Sequence, residues 1–362
     1  MASGLSVRSS VDERDESADA GRRKDYVVRS HGEPGRVRLR PVDSVTVMQQ
    51  RFLGATGLKV SRLGLGTMTW GRDTDEHEAR DQLKAFVEAG GTLIDTAAGY
   101  TDGDSERLIG SLLGDVVGRD DVVLATKAGI SRRTGERVTD VSRRNLVRSL
   151  DESLRRLGVE HVDLWQVNTW VDGIPLEETL SALDYAVSTG RAAYVGVSNY
   201  SGWQVAQAAT WQRAVPGRAV LAANQVEYSL LNRTAEREVL PAARALGLGL
   251  LPWSPLGRGV LTGKYRTGTP ADSRAASPHF SNFVGRYLDD RAQRVVESVV
   301  KAADGLGWSP IEVALAWVRD RPGVVAPIVG ARTAAQLRGS LLAEECELPP
   351  EISQALDDVS EE

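Results

Sequence analysis

The sequence predicts an α/β protein built as a (β/α)8 TIM barrel with an N-terminal β-hairpin and a disordered N-terminal tail, and three observations carry that prediction. Short apolar runs rich in Val, Leu and Ala recur eight times after Arg51. Amphipathic stretches with helical spacing alternate with them. Runs apolar on both sides and separated by helices mean parallel strands with right-handed crossovers, and eight such units close a barrel.

The strands are expected at residues 63–68, 93–96, 122–126, 162–167, 193–197, 222–226, 249–252 and 325–328. Helix faces stand between them. Leu146, Leu150, Leu154 and Leu157 fall on one side after a cap at Asp140 or Ser142, and Leu176, Leu180, Leu183 and Val187 follow Pro175 in a first turn. Residues 51–60, with Gly54, Thr56 and Gly57 in the middle, read as a hairpin placed to plug the barrel's bottom. The stretch 258–286 exceeds an ordinary connection, and long loops at that end of a barrel are usually functional lids. Residues 1–47 mix both charge signs with no apolar period. They read as a disordered tail, or as an extension upstream of a start at Met48, with residues 48–362 forming the barrel.

Composition limits the function. Across 362 residues, 44 Lys and Arg stand against 49 Asp and Glu, giving a net charge of −5 and no basic face for a nucleic acid. Cys346 is the single cysteine, so neither an intrachain disulfide nor a Cys-built zinc site is available. His31, His77, His161 and His279 lack metal-ligand spacing. No apolar run reaches the 18 or so residues of a membrane span and no signal-peptide core is visible, so the reading is cytoplasmic, with no metal and no membrane. Gly64-x-Gly66 followed by Asp95 imitates a dinucleotide fingerprint, but Thr69 replaces its third glycine and the eightfold repeat does not suit an open sheet.

In a barrel of this kind the active site lies where the strands end. Asp95 closes the second predicted strand, Tyr100 lies in the loop after it, Lys127 ends the third and Asn168 the fourth. A phenol with a pKa of about 10 donates protons poorly near neutrality, but a neighbouring ammonium held by a carboxylate stabilises its anion. The quartet therefore suits a tuned general acid, and a structural Asp95–Lys127 ion pair with Tyr100 as a loop residue is the competing reading. Ser198, Asn199 and Gln225 put polar groups at strand ends, as ligand contacts or as ordinary loop capping, and Trp253 offers a flat face to a ligand or to the core. Ser254, Pro255, Leu256 and Gly259 allow close backbone approach, while Lys264 and Arg332 supply positive charge for an anion or stand as surface cations. Trp70, Trp170 and His279 are candidates for a substrate wall, with core packing an equal reading of the two tryptophans.

The chain resembles the aldo-keto reductases. The resemblance rests on Arg51-Phe-Leu-Gly-x-Thr-Gly-Leu-Lys-Val-Ser61, Ile94-Asp-Thr-Ala-x-x-Tyr100, Gly103-x-Ser105-Glu106 and Ala125-Thr-Lys127. Asp163-Leu-Trp-Gln166, Gly196-Val-Ser-Asn199, Asn224-Gln-Val-Glu-Tyr228, Trp253-Ser-Pro-Leu-Gly-Arg-Gly259 and Pro327-Ile-Val-Gly-Ala-Arg332 complete it. It implies NADPH-dependent reduction of an aldehyde or ketone, a small-molecule carbonyl substrate, Tyr100 as proton donor and Lys127 and Asp95 tuning it. It also implies cofactor contacts from Thr67, Met68, Asp95, Gly330 and Gln336. Two positions depart from the family. Asn168 stands where most members carry His, as in the potassium-channel β subunits, so a slow reductase serving as a nucleotide-sensing, partner-binding subunit is the alternative. Gly339 and Ser340 replace a Glu-Asn pair that often reads adenine.

Overall fold

The computed structural model describes residues 47–131, 136–271, 273–276 and 281–361. The predicted tail, apart from Val47, and His279 lie outside the described residues. Eight parallel strands close a barrel: β1 Gly64–Gly66, β2 Leu93–Asp95, β3 Val123–Ala128, β4 Val162–Val167, β5 Ala192–Ser198, β6 Leu221–Glu227, β7 Gly249–Trp253 and β8 Ile328–Gly330. They pair in chain order, and β8 closes on β1 through Ile328 opposite Gly64 and Gly330 opposite Gly66. The eighth strand is displaced from its expected place. Val325 donates to Leu250 O, but Pro327 has no N–H, so the regular ladder begins only at Ile328.

Helices α1 Glu76–Glu88, α2 Asp104–Leu112, α3 Arg143–Leu157, α4 Leu176–Ser188, α5 Gly202–Arg213 and α6 Val239–Ala245 follow the first six strands. In α3, Leu146, Leu150, Leu154 and Leu157 are buried, and Ser142 caps the helix by accepting from the Asn145 N–H. Asp140 sits one layer out and accepts from Ser142 N. Pro175 occupies the N-cap of α4, not its first turn. After β7 come α7 Asp290–Leu306 and α8 Pro310–Arg319, and after β8 come α9 Ala334–Leu341 and α10 Pro350–Ser360.

Alternation sorts the strand residues. Leu93, Ala125, Leu164, Ala223 and Leu251 fill the barrel interior, while Ile94, Leu124, Trp165 and Val197 face the helices. The hairpin Gln50–Phe52 with Lys59–Ser61 closes the bottom, where Leu53 and Val60, both fully buried, join the interior cluster. Burying one such side chain stabilises the fold by about 1.5–3 kcal/mol. Gly54 makes the plug fit: its φ is +57°, and a Cβ there would lie 2.5 Å from Gly247 O. The stretch 258–286 is only partly a loop. It carries 3-10 turns at Gly257–Thr262 and Arg274–Ala276 and a short helix at Ser281–Gly285.

Candidate active site

With the bottom plugged, the polar interior residues collect at the open end. Asp95 is the last residue of β2, Lys127 the penultimate residue of β3, and both are buried. Lys127 Nζ donates to Asp95 Oδ1 and Oδ2 at 2.8 and 2.7 Å. From the opposite wall, Gln225 Nε2 donates to Asp95 Oδ1 at 2.8 Å. Tyr100 opens a short helical turn after β2, and its ring centroid lies 5.4 Å from Lys127 Nζ. Ammonium, carboxylate and amide thus form one hydrogen-bonded chain, with the phenol ring beside the ammonium.

Its electrostatics follow from burial. Desolvation alone would discharge Lys127, but Asp95 and then Tyr100 reverse this and hold its ammonium above the ordinary lysine range. Burial raises the Tyr100 phenol, and the pull of Lys127 only partly offsets it. The expectation of a lowered phenol is therefore corrected for the protein alone: its net direction is upward, because its desolvation exceeds the stabilisation its one ammonium supplies.

Asn168 directly follows β4, donating its main-chain N–H to Ala128 O at 2.8 Å and accepting at its main-chain oxygen from Asn199 Nδ2 at 2.9 Å. Its side-chain amide has no hydrogen-bond partner among the described residues. Asn199, at a φ of +59°, also accepts from Trp253 Nε1 at 2.9 Å, so the rims of β4, β5 and β7 are tied through one side chain. Ser198 spends its proton on Gln225 O at 2.8 Å.

The segment after β7 turns its backbone inward. Ser254, Gly257, Arg258 and Gly259 have φ values of 53°, 54°, 60° and 92°. Gly257 and Gly259 donate their main-chain N–H groups within the turn, to Ser254 O and Leu256 O at 2.9 Å each. Pro255 and Leu256 complete this turn. Lys264 Nζ would lie 3.4 Å from a Cβ on Gly259, so it borders the turn. Arg332 stands in the loop before α9, next to the β7 segment because β7 pairs with β8. Neither cation has an acidic partner among the described residues. Gln336 is already engaged, its Oε1 accepting from Arg332 N at 3.0 Å.

Other predicted residues are placed differently. Trp70 is fully buried in the core with its indole N–H on Gln82 Oε1 at 3.1 Å, so it does not line the mouth. Thr67 is also buried and bonds Asp95 O through N and Oγ1, supporting the rim from behind, while Met68 is partly exposed beside it. Gly330 ends β8. Trp170 stays at the rim, edge-on to Tyr200 and Trp203 at 5.3 Å each. Sequence reasoning missed Trp203, which is about half exposed, and the pair Arg258 and Glu227. Arg258 Nε and Nη2 bond both oxygens of Glu227 at 2.8 and 2.7 Å, and its guanidinium lies 3.7 Å from the Phe283 ring centroid.

A closed parallel barrel thus carries a carboxylate and an ammonium at its strand ends with a phenol beside them. The chain belongs to the aldo/keto reductase family, whose model matches residues 62–361. Among its relatives, an uncharacterised oxidoreductase of Bacillus subtilis, YrpG, is 37% identical over 86% of this chain and 96% of its own. A probable voltage-gated potassium channel subunit beta of Oryza sativa is 38% identical over 78% of this chain and 87% of its own. The L-glyceraldehyde 3-phosphate reductase of Escherichia coli is 32% identical over 82% and 87%. No described helix is long and apolar enough to cross a membrane, and no group of potential metal ligands occurs among the described residues.

Proposed function

We propose that this protein is an NADPH-dependent oxidoreductase that reduces an aldehyde or ketone to an alcohol, with Tyr100 as proton donor. The observation that carries the proposal is the cluster at the barrel mouth in which Asp95 accepts from both Lys127 and Gln225 while the Tyr100 ring lies 5.4 Å from Lys127 Nζ. A bound reduced nicotinamide supplies hydride to the carbonyl carbon. The residues present fit that group. An ionised Asp95 only accepts, so Gln225 turns its NH2 inward and leaves Oε1 to accept from the cofactor's carboxamide. Asn199 holds the Trp253 indole edge, leaving the ring face to the nicotinamide. Ser254, Pro255, Leu256 and Gly259 receive the pyrophosphate, and Lys264 and Arg332 receive the 2′-phosphate that separates NADPH from NADH. Ser198, Thr67, Met68, Gly330 and Gln336 complete the contacts.

In the chemical step Tyr100 Oη gives its proton to the carbonyl oxygen as negative charge develops there, and Lys127 stabilises the phenolate left behind. Asp95 keeps the ammonium charged in a buried site. Asn168 orients the carbonyl by donating from its free amide, while Trp170 walls one side. The assay is oxidation of NADPH, followed at its absorbance, by a panel of simple aldehydes and ketones. Many turnovers per protein, abolished in Tyr100→Phe with NADPH binding retained, are the expected result.

A second reading is favoured by Asn168 and by the potassium-channel β relatives: a slow reductase that senses nucleotide and binds a partner. An amide cannot titrate or share a proton relay as an imidazole does. Stopped-flow mixing of NADPH-loaded protein with aldehyde separates the readings, since a sensor stalls after one turnover. The protein is read as cytoplasmic, with residues 1–47 as a tail and 48–362 as the barrel.

A further inference from the structure

The loop that carries Tyr100 is strained. Thr101 and Asp102 have φ/ψ of 48°/45° and 51°/34°, and Gly103 follows at 90°/2°. Three consecutive left-handed residues, two of them with side chains, persist only where surrounding contacts over-determine them. Those contacts converge on the first turn of α2. Ser105 Oγ lies 2.8 Å from Thr67 Oγ1 and 2.9 Å from Thr96 Oγ1. Glu106, fully buried, accepts from Arg156 Nε at Oε2 and from Thr126 Oγ1 at Oε1, each at 2.6 Å. Thr126 precedes Lys127 on β3, so one carboxylate ties the Tyr100 loop to the strand that carries the ammonium. Arg156, on α3, also packs against the loop itself: a Cβ on Gly103 would lie 2.5 Å from its Cδ. Arg156 is further held by Ser153 Oγ at 3.2 Å and Glu152 at 3.8 Å.

We infer that Glu106 and Arg156, which touch no reacting atom, are positioning residues that hold the Tyr100 loop against Lys127, whose Nζ lies 5.4 Å from the Tyr100 ring centroid. This rests on the reading of Tyr100 as proton donor. It also gives a physical reason for the Gly103-x-Ser105-Glu106 pattern: glycine where Arg156 passes, serine to join β1 and β2, glutamate to reach β3. The groups that face the phenol are Lys127 and Asp95, so displacement of the loop changes both its distance to the ammonium and its burial.

The test uses the full chain with two changes of different severity. Glu106→Gln combined with Arg156→Met removes the ion pair without leaving a buried charge, and Thr126→Val removes only the strand's hydrogen bond while keeping the ion pair. Three quantities are read: kcat and KM for a reactive aldehyde, the NADPH dissociation constant, and the Tyr100 titration in cofactor-free protein. The last comes from phenolate absorbance as a difference against Tyr100→Phe in the same background. In the double variant kcat is expected to fall about 10- to 100-fold, the upper figure being the cost of misplacing a reacting group by about 1 Å. NADPH affinity should stay within about threefold, since the β7 segment lies across the mouth. The phenol, held high by burial, should titrate closer to its ordinary value of about 10 once the loop loosens. Thr126→Val should move kcat and titration the same way by less, and it carries the test if the double variant does not fold. Parental kcat with an unchanged Tyr100 titration overturns the inference, and so does a fall in kcat with no change in titration. Tyr100→Phe turning over at the parental rate instead overturns the proton-donor reading, while the titration still reports whether the clamp holds the loop.

Discussion

Arg258 gives the most quantitative prediction of the fold's response to change. Its side chain is 5% exposed and that of Glu227 11% exposed. Besides its two bonds to Glu227, it donates through Nη1 to Phe283 O at 2.6 Å. Tyr287 donates to Glu227 Oε1 at 3.0 Å, and burial beside that carboxylate pushes the Tyr287 phenol up to about 12. Arg258→Met keeps much of the apolar stem but leaves the Glu227 carboxylate buried with that phenol and no cation, a loss of about 3–5 kcal/mol. The matched model spans about 300 residues, and at about 2.1 cal/mol/K per residue the unfolding entropy is roughly 0.6 kcal/mol/K. The melting temperature should therefore fall by roughly 5–8 °C. Arg258→Met combined with Glu227→Gln removes both charges and should recover most of that loss, to within about 1–2 kcal/mol of the parent. Thermal and urea denaturation followed by circular dichroism measure both. A single variant that melts within about 2 °C of the parent, or a double variant no better than the single, would refute the argument that a desolvated carboxylate dominates.

Four further outcomes are expected. Arg332→Ala should weaken NADPH binding about tenfold or more and NADH binding little, as charge-assisted contacts contribute about 1.5–3 kcal/mol each; equal fluorescence-titration constants for the two cofactors in the parent would contradict the assignment. A chain beginning at Met48, whose side chain is buried and whose N–H bonds Ala89 O at 3.0 Å, should keep its melting temperature and cofactor affinity, and a drop of several degrees would show that the tail packs on the barrel. Because burial holds the Tyr100 phenol above its ordinary range, the protonated donor persists through neutrality and the reduction rate should fall only as pH rises past about 10; an alkaline limb below about pH 8 in the pH–rate profile would contradict it. Asn168→His should raise kcat for simple aldehydes roughly ten- to hundred-fold, since an imidazole can both donate to the carbonyl oxygen and assist its protonation, and an unchanged rate would show a pocket adapted to the amide.

The barrel was legible because its strands are buried on both faces and its helices on one, so each leaves its own apolar period in the chain. The rim residues were legible for a related reason: a carboxylate, an ammonium or an amide at the end of an apolar strand breaks the pattern at the point where the fold places a mouth. Beyond Asp95 with Lys127, partnerships were not legible. Gln225 lies 130 residues from Asp95, Arg258 lies 31 from Glu227 and Arg156 lies 50 from Glu106. Periodicity says which way a side chain faces but not which distant chain faces it. Trp70 shows the same limit, since an aromatic just past a strand reads alike as a pocket wall or as core, and only its contact with Gln82 on α1 decides. The shift of the eighth strand was open to inspection, because Pro327 cannot donate to a ladder.

The arrangement also explains why Lys127 stays charged. Burial as deep as that of Lys127 ordinarily drives an amine toward its neutral form. Asp95 prevents this with two hydrogen bonds, and Gln225 takes a remaining acceptor site on that carboxylate, so the pair keeps both charges. With Tyr100 as the proposed donor, the ammonium is already in place for the phenolate that forms. The free phenol pays for its burial by sitting high, which makes it a weak acid at rest; its strength is drawn out only when negative charge develops on a carbonyl oxygen beside it. On the proposed reading Tyr100 is the one titratable donor at that oxygen among the described residues, because an amide such as that of Asn168 can orient but not protonate. Removing its hydroxyl leaves no second acid on the rim to take its place, whereas a histidine in place of Asn168 would supply one.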